Sequence, residues 1–317
     1  MVAPNTQERI PVAVGVTVYN EEKNLDALLE AVASAQGRHM EIQQIIVVSS
    51  GSTDRSVSIA EAWAKRDPRV ELTNDEVRRG KATAVNQVLA RIRPGIGICV
   101  LAGGDLLPHP DALDALVAPF ALASTGMTGA HPVPINHSEG WVNRVVHLQW
   151  KLHDALSRTR PKMGELVAFR ADVPPLDPET VVDEAWLETV AKSRNQRLCY
   201  VPEAIVWNRG PTRAAELLDQ RRRVFCGHLW LRGARHYEVS TFRSASLLAL
   251  AAQHCVSHPR ETPTAVVAAG VELVGRALGT LDYLRGRRPY VWNIATTSKD
   301  RLTPQGLVGA PQHKPAK

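Results

Sequence analysis

The stretch Ile96-Gly97-Ile98-Cys99-Val100-Leu101-Ala102-Gly103-Gly104-Asp105 decides the fold. A short apolar run without polar alternation reads as a strand buried on both faces, the pattern of a parallel sheet. Two glycines end it and one carboxylate follows. Pro108 and Pro110 then mark the start of a helix. Ligands bind at the carboxyl edge of such sheets, so Asp105 is a candidate ligand contact. The plainer alternative is a helix-capping aspartate.

Similar units lie upstream. Pro11–Val18 is a continuous apolar strand. Asn20 is expected to cap the next helix, with Glu21 and Glu22 in its first turn and apolar residues at Leu25, Leu28, Leu29, Val32 and Ala33. Ile45–Val48 is a second strand, SSGSTD at 49–54 a turn, and Asp54 the cap of a helix running to Lys65. Val70–Thr73 is a third strand and Lys81–Ile92 a third helix. Strand–helix alternation implies a parallel sheet with right-handed crossovers. Beyond residue 135 the pattern gives a helix over 139–156, a strand over 164–170 and a helix over 184–192. Two short strands broken at Pro202, a basic helix over 213–236 with a break open at Gly227, and helices near 244–256 and 264–284 follow.

The chain has 317 residues, 44% of them apolar, enough for a sizeable core in one large domain or two. A net charge of +6 suits an anionic ligand or an acidic membrane face. The basic residues are scattered and no nucleic-acid motif is present, so no nucleic-acid partner is expected. Cys99, Cys199, Cys226 and Cys255 are isolated, which reads as reduced thiols in a cytoplasmic protein. Residues 1–10 lack the apolar core of a secretory signal. The apolar stretch 265–284 carries Glu272, Arg276 and Asp282. Each mid-bilayer charge costs roughly 2.5–3.5 kcal/mol. A packed helix is therefore expected, with peripheral contact at the inner membrane face as the lesser option, helped by the basic residues 285–288.

Taken in order, VYNEE at 18–22, SSGSTD, GKATAVN at 80–86, GGD at 103–105, GELVAFR at 164–170, DEAW at 183–186 and QRRRV at 220–224 resemble a family 2 glycosyltransferase. The resemblance covers 11 to about 232. It implies an α/β GT-A fold: a Rossmann-like, mostly parallel sheet with flanking helices. Residues 1–236 would form the transferase domain, with a nucleotide-sugar half at 1–135 and an acceptor half at 136–236. A C-terminal helical region would span 237–301, its YVWNIATTSKD stretch at 290–300 included, and a disordered tail 302–317.

The implied function is inverting, non-processive transfer of a sugar from a nucleoside-diphosphate donor. The acceptor would be a carbohydrate, lipid-linked or small-molecule hydroxyl, and a divalent Mg or Mn the cofactor. By the same resemblance Asp105 meets the metal, with Gly103 in place of the first acid of the DxD motif. Tyr19 and Glu21 flank the nucleotide. Ser49 stands where many members carry a base-reading aspartate, and Lys81 lies near the nucleotide. Glu184 is the base, with Asp183 as its fallback or orienting partner. Gln220 and Arg223 match QxxRW, Arg223 lying on the diphosphate, and Val224 replaces the tryptophan that carries a growing glycan in processive synthases. The substitutions Gly103, Ser49 and Val224 leave open a catalytically reduced, nucleotide-sugar-binding scaffold. A dinucleotide oxidoreductase is disfavoured because the first strand–helix turn has no G-x-G-x-x-G. His228 and His236 are read as helix-surface residues, and Trp186 and Trp230 as core.

Overall fold

The computed structural model describes residues 8–237 and 244–303, with the side chains of 244–248 left aside. Its strands are β1 (Ile10–Val18), β2 (Met40–Ser50), β3 (Val70–Asp75), β4 (Ile98–Gly103), β5 (Leu107–Pro108), β6 (Thr125–Pro134), β7 (Val167–Arg170) and β8 (Arg197–Asn208). The helices are α1 (Leu25–Ser34), α2 (Ser56–Arg66), α3 (Lys81–Leu89), α4 (Ala112–Val117), α5 (Trp141–Ser157), α6 (Asp183–Ser193), α7 (Ala214–Arg235), α8 (Ser244–Ser257) and α9 (Thr262–Leu284). The strands form one sheet in the order β3-β2-β1-β4-β7-β6-β8-β5. The first four are parallel, as expected. Beyond them the sheet is mixed: β7 runs antiparallel to both β4 and β6, β6 and β8 are parallel, and β5 closes the edge antiparallel to β8.

Strand β1 shows why the first half folds as a layered α/β unit. Side chains alternate across a sheet. Val12, Val14 and Val16 join Leu25, Leu28 and Leu29 of α1 on one face, while Ala13 joins Val85 and Val88 of α3 on the other. Full burial of such a valine contributes about 1.5–3 kcal/mol. At Gly15 a Cβ would lie 2.4 Å from Val88 Cγ1, so the glycine lets α3 approach.

Several local expectations need correction. Asn20 does not cap α1, which starts at Leu25; Asn20 has φ 54°, and its Oδ1 accepts from Thr53 N–H at 2.8 Å. Asp54 likewise lies one residue before the N-cap position of α2. Its carboxylate accepts from Glu22 N–H at 3.0 Å and Ser56 N–H at 2.9 Å. With Glu21 N–H donating to Ser56 Oγ at 2.8 Å, the two turns are laced to each other.

Strand β8 continues through Pro202 because its pairing with β6 skips there. Gly129 pairs with Tyr200 and His131 with Ile205, and no ladder bond is asked of the proline. Helix α7 is unbroken at Gly227, where a Cβ would lie 2.8 Å from Val181 Cβ. His228 is buried at 7% exposure, not on the surface. Trp186 is core, at 2%. Strand β6 had no forecast, because its glycines and prolines read as a loop.

Helix α9 is long and apolar enough to cross a bilayer by length and composition. Here one face packs on α7. Cβ atoms at Gly275 and Gly279 would lie 2.7 Å from Arg221 Cβ and 2.6 Å from Arg222 O. Asp282 is buried and pairs with Arg222 and, at 3.3 Å, with Arg287; Arg276 pairs with Glu272 at 2.8 Å. The opposite side exposes Val266, Leu273, Val274 and Leu284. Gly279→Ala is expected to force the α7–α9 backbones apart, at a cost of about 1–3 kcal/mol. An unchanged denaturation midpoint would refute that contact.

The expected helical region at 237–301 ends as helix at Leu284. The chain then runs from 285 to 303 with only a short 3-10 turn at Thr296–Lys299. Leu302 is buried, its N–H donating to Asn24 Oδ1 at 2.8 Å. From 304 on, the forecast tail lies outside the described residues.

Candidate active site

The register of β1 and β4 builds the site. Thr17 pairs with Gly103, and Gly104 N–H donates to Thr17 O at 2.9 Å. Tyr19 and Glu21 therefore emerge beside Asp105 at the carboxyl edge, where the chain crosses from one side of β1 to the other. That is the switch point at which α/β sheets open a crevice. A cavity of about 1300 Å³ occupies it. The glycines before Asp105 have a steric reason. A Cβ at 104 would lie 2.8 Å from Glu21 Cγ, and one at 103 would lie 2.7 Å from Asp105 Oδ1. An acid at 103 would displace the Asp105 carboxylate, which is 36% exposed.

Tyr19, Glu21, Lys81, Asp105, Asp183, Glu184, Gln220 and Arg223 all line this cavity. Ser49 does not. It is buried at 1% exposure with its hydroxyl on Ser52 Oγ at 3.1 Å, and its neighbour Ser50 reaches the wall instead. The period of two along β2 sends adjacent residues to opposite faces.

Lys81 opens α3 and reaches the start of α6. Its Nζ lies 2.6 Å from Glu184 Oε1 and 2.9 Å from Asp183 Oδ2. Burial opposes its charge, but the two carboxylates outweigh that and raise its pKa. Burial, then the adjacent Glu184, push Asp183 up to about 6. Burial also presses Glu184 upward, yet the charge and hydrogen bond of Lys81 prevail and hold it below the ordinary value. The ammonium thus keeps Glu184 ionised while its partner stays nearer neutrality. Burial raises Asp105 as well, against its own backbone N–H and the Lys81 charge.

Across the cavity lies a stack that the sequence did not reveal. The Arg78 guanidinium sits 4.1 Å from the Tyr19 ring centre and 5.7 Å from that of Trp292, and the Arg223 guanidinium sits 4.0 Å from the Trp292 ring centre. Burial, then Arg221, lower Arg223 to about 10, which leaves it charged at neutral pH. The segment 290–302 is a strap over the crevice. Tyr290 lies against Gly80 and Trp292 enters the stack. Thr297 Oγ1 accepts from Thr212 N–H at 2.9 Å, and Lys299 Nζ contacts Glu21 Oε1 and lies 3.9 Å from Asp105 Oδ2. Burial lowers Lys299 to about 8.

A further missed residue is Glu165 in the GELVAFR stretch. It accepts from Asn208 Nδ2 at 3.3 Å, and burial, then Asp105, push it up to about 7. Its one signal was a carboxylate just ahead of a strand. For the strap there was none, because its partners are distant in sequence, from 85 positions for Thr212–Thr297 to 278 for Lys299–Glu21.

The architecture is that of GT-A glycosyltransferases. The mannosyltransferase PcManGT of Pyrobaculum calidifontis, solved with GDP-Man and Mn2+, aligns with 91% of this chain and 84% of its own, at TM-score 0.54 and 23% identity. The glucosyl-3-phosphoglycerate synthase of Mycobacterium tuberculosis, solved with Mn2+, UDP and glucosyl-3-phosphoglycerate, aligns with 73% of this chain and 82% of its own, at TM-score 0.51 and 19% identity. These likenesses show the fold.

Residues 13–172, half of the chain, match the family model described as glycosyl transferase family 2. The chain belongs to glycosyl transferase family 2. Among curated proteins, the dolichyl-phosphate beta-glucosyltransferase ALG5A of Trichomonas vaginalis is 26% identical over 118 residues. That match spans 32% of this chain and 36% of the relative.

Proposed function

We propose that the chain is an inverting, non-processive glycosyltransferase that moves a sugar from a nucleoside-diphosphate donor to an acceptor. The observation that carries this is one cavity walled by Asp105, the Lys81-bound acid pair and Arg223. The acid pair and the diphosphate-type residues enter from different elements. An acceptor held at Glu184 can therefore attack the sugar from the face opposite the leaving group, which inverts the anomeric carbon. Glu184 takes the acceptor proton, and Lys81 keeps it ionised until then. Arg223, held by Trp292, offers forked donors to the departing diphosphate. The strap keeps water from the donor. Val224 in place of a ring-bearing residue favours transfer of single sugars.

A divalent Mg or Mn fits Asp105. No group of three or more candidate ligands exists among the described residues, so an all-protein cage is absent. An Mg-type site takes one or two carboxylates and draws its other oxygens from phosphate and water. The Lys299 ammonium beside Asp105 and Glu21 marks where a cation sits comfortably. Bound there, the ion would neutralise charge on the leaving diphosphate.

Arg223→Ala is expected to weaken nucleoside-diphosphate binding by about ten- to a hundredfold, the range of charge-assisted hydrogen bonds. Calorimetry with GDP and UDP reads it, and an unchanged Kd would make this helix a mere basic surface. The scaffold reading draws on Lys299 already holding Glu21 and Asp105. Donor hydrolysis separates the two: a chain that binds nucleotide sugars but neither hydrolyses nor transfers them across a donor and acceptor panel is a scaffold.

A further inference from the structure

Beyond the acid pair the same cavity extends into a chamber walled by residues of α5, α7 and α9. The donor residues described above do not use it. Lys162 from the loop after α5 and Arg221 from α7 line it, as does Arg276 of α9, which is bound to Glu272. No ion pair among the described residues includes Lys162 or Arg221. Arg221 Nε is buried with no hydrogen-bond partner. Burial, then the neighbouring Arg221, lower the Lys162 pKa, so the two charges sit close enough to repel each other.

The carboxylates that act on Lys162, Glu188, Glu272 and Glu184, offset this only in part, because burial and Arg221 outweigh them. Both ring nitrogens of His153 are buried without partners; burial, then Lys162, push that imidazole down to about 3 and keep it neutral. Glu188 accepts from Met163 N–H at 2.9 Å and Tyr237 O–H at 2.7 Å, and burial pushes it up to about 7. Glu272 is bound to Arg276.

Buried charges are normally paired. Two like charges on a cavity wall, beside an imidazole with free nitrogens, form a receptor for an anion that the chain does not itself supply. Glu184 lines the same cavity and contributes to the field at Lys162. A neutral sugar acceptor would need none of these cations. On the far wall α9 presents Ala265, Ala268 and Ala269, a small-residue apolar surface suited to a hydrocarbon chain.

We infer that the acceptor carries a phosphate-like oxyanion next to its nucleophilic oxygen, and that Lys162 and Arg221 receive it with His153 as a neutral hydrogen-bond partner. This rests on the cavity being a glycosyl-transfer site. The oxyanion can belong to a soluble phosphorylated hydroxy acid, whose separate hydroxyl gives its proton to Glu184, or to a lipid phosphate whose tail follows the α9 wall, where a phosphate oxygen is itself the nucleophile and Glu184 has no proton to take.

The test is calorimetry on the full chain without donor, using farnesyl phosphate, glycerate 3-phosphate and the neutral farnesol and glycerol. At least one anion is expected to bind, and both neutral compounds to fail. Lys162→Met and Arg221→Met should each weaken the anion at least about tenfold, as loss of a charge-assisted contact does. Lys162→Arg should restore most of the affinity. Lys162→Gln provides a second charge removal if the methionine variant melts early. Preference for farnesyl phosphate assigns the headgroup to a lipid, and preference for glycerate 3-phosphate to a soluble metabolite. Binding of neither anion, or equal binding by folded variants, overturns the inference. Nucleotide-sugar binding, measured separately, tests the transfer reading: its loss with anion binding intact sinks that reading and leaves the anion site standing.

Discussion

Glu184→Gln should reduce glycosyl transfer by about 10²–10⁴-fold, the range that general-base catalysis supplies, while donor affinity stays within a few-fold. The amide keeps the shape of the side chain but cannot take a proton. Lys81 retains Asp183 at 2.9 Å, so the wall of the donor site survives the change. Single-turnover transfer, with nucleotide-sugar binding measured alongside, reads both quantities. Loss of donor binding in place of turnover would remove Glu184 from the role of base.

The same acid pair sets a pH dependence. Asp183 is pushed up to about 6 while Glu184 is held low, so the upper titration step of the pair falls near pH 6. Protonation there withdraws negative charge from the pair and frees the Lys81 ammonium to draw on Glu184 alone, which makes the base weaker. Transfer should therefore fall to a lower level as pH drops through about 6. In Asp183→Asn this limb should move to lower pH. A profile flat down to pH 5 would mean that the pair does not carry the proton.

Asp105→Ala should cost at least about a hundredfold in turnover, the usual loss when one preorganised electrostatic partner is removed. It should also abolish any stimulation of donor hydrolysis by Mn. Asp105 is the acid that the β4 edge offers to the cavity, and Gly103 supplies no second carboxylate to compensate. Titrating Mn or Mg against donor hydrolysis in both proteins decides the matter. Equal metal stimulation would place the ion elsewhere. A Cβ at 103 would lie 2.7 Å from Asp105 Oδ1, so Gly103→Asp would have to displace that carboxylate.

Asp105 was legible because a buried parallel strand announces itself by unbroken apolar sequence and its end is a fixed place in the fold. The acid pair was legible as a motif, but its chemistry was not. The Lys81 contact spans 103 positions, and it decides which carboxylate stays ionised. Ser49 shows the opposite limit: sequence placed it at the strand end, but the parity of β2 turned it away from the cavity. Strand β6 was hidden because its buried positions use small residues. Gly129 stays bare to admit Met163, whose Sδ would otherwise lie 2.7 Å from a Cβ.

The sequence by itself determined the layered α/β half, the order of its strands along the chain and the acids at their carboxyl ends. These follow from local alternation, apolar runs and turn chemistry, each read within a window of a few residues. Only the tertiary structure decided the mixed second half of the sheet, the Lys81 lock on the acids, the strap that brings Trp292 and Lys299 over the crevice, and the cationic chamber of Lys162 and Arg221. Those depend on groups far apart in sequence. Their charges and surfaces act on one another only after folding has excluded water and fixed their separation, and no local pattern encodes that distance.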